Sequence, residues 1–177
     1  VFTATASQGL LLMHELLHYA SGARAPIVMA NVNRTLASPW AFWPDQTDSL
    51  AQRDTGWIQI YVESAQEALD SVIQAFRVAE SVLVPAMVNL DAFYVSHAME
   101  PVEVPGPADV DAYLPPFAPE HKLDTDRVES WGNVVTQDMF YRHRQAIQQA
   151  MDRVPQLLAE ADRAWHEHVG RAWGVVE

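Results

Sequence analysis

The hydrophobic pattern changes period several times along the chain. It opens on "VFTATA", a run of β-branched and aromatic residues that predicts a strand. Ser7 then stands where a helix N-cap belongs. "QGLLLMHELLHYAS" places Leu10, Leu11, Met13, Leu16, Leu17 and Ala20 on one helical stripe, with Gly22 positioned as a C-cap. After Pro26, "IVMANV" is apolar without alternation, as in a strand buried on both faces of a parallel sheet. "RTLASPWAFWPDQTD" carries Pro39 and Pro44 and reads as a loop. "SLAQRDTG" predicts a short helix ending at Gly56, and "WIQIYV" a strand.

The strongest helical signal follows. Ser64 and Glu67 form a capping box, and Ala68, Leu69, Val72, Ile73, Phe76 and Ala79 recur at helical spacing. "PAMVNLDAFYV" is a further buried strand. Strands alternating with helices over residues 1–100 predict an α/β domain with a mainly parallel sheet. From Pro101 to about 136 the chain is Pro-rich and acidic, which predicts an extended surface arm. Residues 137–177 form a helical segment, with a long helix from Gln137 to about Ala172. In it Ile147, Met151, Val154, Leu158, Ala161 and Trp165 make a seam that must pack on the domain or on a partner. Pro155 inside it marks a kink or a junction of two helices.

Composition narrows the function. The 177 residues suffice for one domain with a real core, and 49% hydrophobic content argues against disorder. A formal net charge of −12, with the basic residues scattered, argues against nucleic-acid and anionic-membrane binding. With no cysteine, the chain offers no thiolate for a disulfide, a cluster or a nucleophile. No apolar run is long enough to span a bilayer. The chain begins in a strand with no lead-in, as if entered in mid-domain.

His14-Glu15-Leu16-Leu17-His18 spells H-E-x-x-H. On a helix the two imidazoles are one turn apart and could hold zinc, with Glu15 as general base. A third ligand is lacking: Ser21 and Arg24 stand where the extended motif requires Gly and His, and Glu63 and Glu67 lie two predicted strands away. Asp45, Asp48, Arg53 and Asp54 are close in sequence; the carboxylates either bind a hard cation or serve as turn and cap residues, the commoner use. "TATASQG" could cradle an anion at a helix start but is no P-loop. His166 and His168 are two apart and cannot share a helix face. Arg34 directly follows a buried strand, where α/β domains bind ligands, and suits a carboxylate or phosphate; the alternative is a surface salt bridge.

Together, "FTATASQGLLLMHE", "ASGARAPIVMANVNRTLASPW", "DQTDSLAQRDTGWIQIYVESAQEALD" and "PAMVNLDAFYVSHAMEPVEVP" resemble the α chain of pyruvate:ferredoxin oxidoreductase, the thiamine-diphosphate-dependent 2-oxoacid:ferredoxin oxidoreductase family. The similarity continues through "YLPPFAPEHKLD" and the terminal helix. It implies a partial pyrimidine-binding domain of the thiamine-diphosphate fold over 1–100. It implies oxidative decarboxylation of a 2-oxoacid (pyruvate, 2-oxoisovalerate or an aryl-glyoxylate) to acyl-CoA, with electrons passed to ferredoxin in the cytoplasm. Thiamine diphosphate and Mg would be shared with a β subunit carrying the diphosphate-binding domain. Iron–sulfur clusters and coenzyme A would sit on other subunits or domains, with γ and δ subunits completing the complex. By the same resemblance Arg34 binds the substrate carboxylate, and Thr5, Ser7, Gln8 and Asn33 lie near the cofactor. The family's leading section, with a Y-P-I-T-P-like loop and a Glu that engages the aminopyrimidine, has no counterpart here. The segment alone is therefore expected to hold no catalytic residue and to be inactive, with an unpaired sheet edge. The two rivals are a zinc hydrolase on His14, Glu15 and His18, and a non-catalytic assembly segment docking through its terminal helix.

Overall fold

A computed structural model describes residues 1–119 and 121–174. Glu120 of the Pro-rich arm and the last three residues of the 137–177 segment lie outside the described residues. Four strands, β1 (Phe2–Ala6), β2 (Val28–Asn33), β3 (Ile58–Val62) and β4 (Ala86–Asp91), form an all-parallel sheet in the order β1-β2-β4-β3. All four carboxyl ends therefore open on one side, and the loops after them can converge on a ligand.

Side chains alternate across the sheet, so the central strands β2 and β4 feed two cores. Val28, Ala86 and Val88 face α4 (Ala65–Val82), whose Ala75, Val78 and Ala79 complete that layer. Met29 and Met87 face the other side with Leu10, Leu17 and Trp57. There the crossover helix runs as two pieces, α1 (Gln8–Leu12) and α2 (His14–Gly22), broken at Met13. The Trp57 indole donates to the Leu17 carbonyl at 2.9 Å and locks α2 to the start of β3.

Ser64 caps α4 as expected, accepting from the Glu67 N–H, while the Glu67 carboxylate reaches back to the Glu63 N–H at 2.7 Å. Two other cap expectations fail. Ser7 sits at φ 46° and makes no capping bond, because Asp48 and Thr35 claim its groups. Gly22 remains helical, and Arg24 takes the left-handed turn instead (φ 58°), with its guanidinium on the carbonyls of Val82 and Leu83 at the end of α4. Leu16, expected on the buried stripe, is exposed, whereas Leu17 is buried. The "SLAQRDTG" region folds as α3 (Thr47–Leu50) and a 3-10 turn (Arg53–Thr55), ending at Gly56 with φ 82°.

The Pro-rich stretch is not extended throughout. It holds α5 (Pro107–Tyr113), whose Tyr113 is fully buried. Its ring lies edge-on to Trp165, its hydroxyl donates to the Ala161 carbonyl at 3.0 Å, and Arg77 stacks over its face. Burial pushes the Tyr113 phenol pKa well up. The terminal helix runs as α6 (Gln137–Met151) and α7 (Val154–Val169), with Pro155 in the first turn of α7, the place a helix tolerates it. Gly170 (φ 78°) ends α7 short of Ala172. The seam is covered from within: Ile147, Val154, Ala161 and Trp165 are buried, and α7 packs on α4. Because α4 is sandwiched between sheet and α7, even its polar residues Asp70, Ser71 and Gln74 are buried.

Candidate functional site

A buried polar net collects at the carboxyl ends of the strands. Asn31 and Asn33 on β2, and Asn89 on β4, continue the face that begins with Met29 and Met87, and all three are buried. One face of the sheet thus turns from apolar to polar towards the loop end. Asn31 donates its amide to the Asn89 carbonyl oxygen at 3.1 Å across adjacent strands. The sequence signal for this is the pair Asn31 and Asn33 at period two in "VMANVN", with Asn89 in "MVNLD", set inside apolar runs.

Asp48, fully buried on α3, ties the loops together. One carboxylate oxygen accepts the Ser7 N–H (3.1 Å) and the Arg34 N–H (3.4 Å); the other accepts the Asn33 amide (2.6 Å) and the Ser49 N–H (2.7 Å). The ends of β1 and β2 therefore hang on one carboxylate. Ser49 extends the net to β3 through Tyr61 and Gln59, and Gln46 reaches Asp91 at the end of β4. Ser7, held at positive φ where a residue with a side chain is strained, donates its hydroxyl to the Thr35 carbonyl at 2.7 Å. In the sequence Asp48 reads only as a cation ligand or a cap, because its partners lie up to 41 residues away.

Above this net lies an open cavity of about 450 Å³, lined by Ala6, Val32, Arg34, Phe42, Ala92, Phe93 and His97. Arg34 is half-buried. Its guanidinium carbon lies 5.8 Å from the Trp40 ring and 5.6 Å from the Phe42 ring, within cation–π range. Its Nε is buried with no partner, and among the described residues it forms no ion pair. An aromatic wall of Phe42, Trp43, Phe93 and Tyr94 continues from it, partly open to solvent. Of the other sequence candidates, Asn33 lies beneath the cavity in the Asp48 net, with its own carbonyl oxygen unpaired. Thr5 and Gln8 are half-buried and do not line the cavity. Thr5 packs so closely on Gly9 that a Cβ there would stand 2.8 Å from its hydroxyl.

The zinc pattern finds no site. His14 and His18 are exposed neighbours with rings 5.0 Å apart, and the His14 Nδ1 bonds the buried Gln52 side chain at 2.6 Å. Ser21 and Arg24 are committed to the Thr55 carbonyl and to the end of α4. No three His, Cys, Asp or Glu side chains among the described residues cluster closely enough to hold a metal ion. Asp45 serves its own turn, accepting from Thr47. No described helix is long and apolar enough to cross a membrane.

An all-parallel sheet packed between helices, with its strand ends gathered on one side, is the architecture of an α/β ligand-binding domain. Residues 1–163 match the family described as "Pyruvate flavodoxin/ferredoxin oxidoreductase, thiamine diP-bdg", and the chain belongs to that family. It is 50% identical to the pyruvate synthase subunit PorA of Methanothermobacter thermautotrophicus over 100% of its own length and 47% of that protein's. It is 48% identical to the ketoisovalerate oxidoreductase subunit VorA of Pyrococcus abyssi, over 97% of its length and 44% of the relative's. To the PorA of Methanocaldococcus jannaschii it is 47% identical, over 98% and 45%. The chain thus spans about half the length of these relatives.

Proposed function

We propose that this chain supplies the substrate-carboxylate wall of the active site in the α chain of a thiamine-diphosphate-dependent 2-oxoacid:ferredoxin oxidoreductase. The reaction is oxidative decarboxylation of a 2-oxoacid, pyruvate or a branched relative, to its acyl-CoA with reduction of ferredoxin. The observation that carries the reading is Arg34: half-buried at the end of β2, its Nε unpartnered, in a cavity with no carboxylate in its lining. On a chain of formal charge −12, an anionic substrate needs such a local cation.

The residues present fit the aromatic end of the cofactor. Phe42 and Phe93 offer flat apolar surfaces to an aminopyrimidine ring, and Ala6 and Ala92 leave it room. Thiamine diphosphate, when bound, supplies the nucleophilic carbon and the electron sink that loss of CO2 requires. Diphosphate and Mg are shared with a partner β subunit that carries the diphosphate-binding domain. Iron–sulfur clusters, coenzyme A, the γ and δ subunits and ferredoxin complete the complex, in the cytoplasm. Within this site Arg34 forks the substrate carboxylate, and Phe42 and Phe93 line its approach. Asp48, through the Arg34 and Ser7 N–H groups, fixes where those loops stand.

The test uses the assembled enzyme. Loss of a charge-assisted bond predicts that Arg34→Ala raises KM for the 2-oxoacid by about 10- to 100-fold and lowers turnover, with Arg34→Lys intermediate. Unchanged kinetics in Arg34→Ala would remove the assignment.

A further inference from the structure

The turn after β4 carries a second polar group into the Arg34 cavity. Its backbone is tightly specified: the Tyr94 N–H donates to the Ala92 carbonyl, and the Val95 and Ser96 N–H groups both donate to the Asp91 carbonyl. Phe93 is forced to φ 62°, a left-handed conformation that is costly for a bulky side chain, and its N–H is held by the Ser96 hydroxyl at 3.1 Å. The product of this turn is a pair of rings at the cavity. His97 stacks on Phe93, with centroids 4.6 Å apart and planes 25° from parallel. The His97 Nδ1 is engaged by the Ser96 hydroxyl at 2.8 Å, so one edge of the imidazole is fixed by the turn and the Nε2 edge remains for another partner. His97 and Arg34 are the two polar side chains in an otherwise apolar lining.

A 2-oxoacid carries two acceptor groups on adjacent carbons, the carboxylate and the 2-oxo oxygen. Arg34 answers the first. We propose that His97 answers the second, its Nε2 hydrogen-bonding the 2-oxo oxygen, which gains negative charge as the carbonyl carbon is attacked. In the tautomer this requires, Ser96 donates to Nδ1 and Nε2 bears the proton. This inference rests on the Arg34 reading of the same cavity. His97 is a catalytic residue in the sense that it touches the reacting carbonyl, and a donor at a developing oxyanion acts mainly on turnover.

The experiment compares three variants of the full chain in the assembled enzyme: His97→Asn, His97→Gln and Arg34→Ala. Asn retains a group at the Nδ1 position for Ser96 but none at Nε2, whereas Gln places its amide near Nε2. The expected result is a fall in kcat of about 100-fold for His97→Asn with little change in KM, and partial retention of turnover in His97→Gln. Inhibition supplies a readout that turnover alone does not. Oxamate, with a carboxylate and a neighbouring carbonyl oxygen, should inhibit the native enzyme more strongly than propionate, which lacks that oxygen. His97→Asn should erase the difference, and Arg34→Ala should weaken both inhibitors. Native turnover in His97→Asn, or undiminished discrimination between the two inhibitors, overturns the His97 assignment while a defective Arg34→Ala leaves the carboxylate site standing. If Arg34→Ala is also native in KM and inhibition, the functional reading of the cavity falls with it.

Discussion

Two fully buried aspartates divide the molecule between them. Asp48, on α3, accepts only from neutral groups: three backbone N–H groups and the Asn33 amide. Asp70, on α4, is gripped bidentately by Arg171 at 2.8 and 2.9 Å, with the Trp173 indole and the Gln66 amide alongside. The second is a staple. It neutralises its charge and joins α4 to the segment after α7, helped by Asp162, which accepts the N–H groups of Trp173 and Gly174. The first is a template: its acceptor directions set where the ends of β1 and β2 stand, and the cation nearby in sequence, Arg34, gives Asp48 its backbone N–H rather than an ion pair. An aspartate that spent Arg34 on a salt bridge would leave the cavity without its cation. The two buried carboxylates differ in their donors and not in their burial.

The sharpest way to break this contrast is Asp48→Ala. It leaves four donors without their acceptor, three of them fixed in the backbone, and should cost about 3–5 kcal/mol in urea unfolding. Asp48→Asn, which keeps one acceptor oxygen, should cost less. A loss below about 1 kcal/mol for the alanine variant would show that the net is not what holds the strand ends.

Arg171→Ala comes next, at about 2–4 kcal/mol, because it strips a buried carboxylate of its counter-charge. This variant also carries a pH signature. Burial works to raise the Asp70 carboxyl pKa, but the Arg171 guanidinium and the Trp173 indole N–H outweigh it, and the pKa lies below its ordinary value. A carboxyl depressed by folding contributes stability above its unfolded pKa, and that contribution is lost as pH falls through the folded one. Native stability should therefore drop on acidification below about pH 4, and Arg171→Ala should flatten that part of the profile. Parallel profiles would mean that the staple carries no net charge coupling.

Arg34→Ala sits on the other side of the comparison. Among the described residues its side chain makes no ion pair, so unfolding should change by about 0.5 kcal/mol or less while substrate KM rises. A large stability loss would recast Arg34 as structural. The smallest effect belongs to His18→Ala, an exposed ring on α2, with a shift within about 0.5 kcal/mol and no change in metal content of the purified protein. Stoichiometric zinc lost with His18 would reopen the H-E-x-x-H reading.

Much of the fold was legible because it is written in local periods. The capping box at Ser64, the apolar strands, the junction at Pro155 and the buried seam of the terminal helices all follow from residues within a few positions of one another. The failures share a cause. Ser7 looked like a cap and Gly22 like a helix stop, and each was overruled by a contact from far along the chain: Asp48 and Thr35 for the first, the carbonyls ending α4 for the turn at Arg24. Tyr113 looked like part of a surface arm until α7 came to cover it.

The site divides in the same way. The place of Arg34 could be read from the sequence, since a residue directly after a buried strand emerges at the carboxyl end of a parallel sheet. His97 could not, because its meaning lies in sharing a cavity with Arg34 from a strand that enters the sheet later. Residue chemistry and local period thus decide which elements form and which side chains are available. Which aspartate holds the cavity and which holds the tail was decided only by packing, because hydrogen bonds between groups 41 and 101 residues apart leave no periodic trace in the chain.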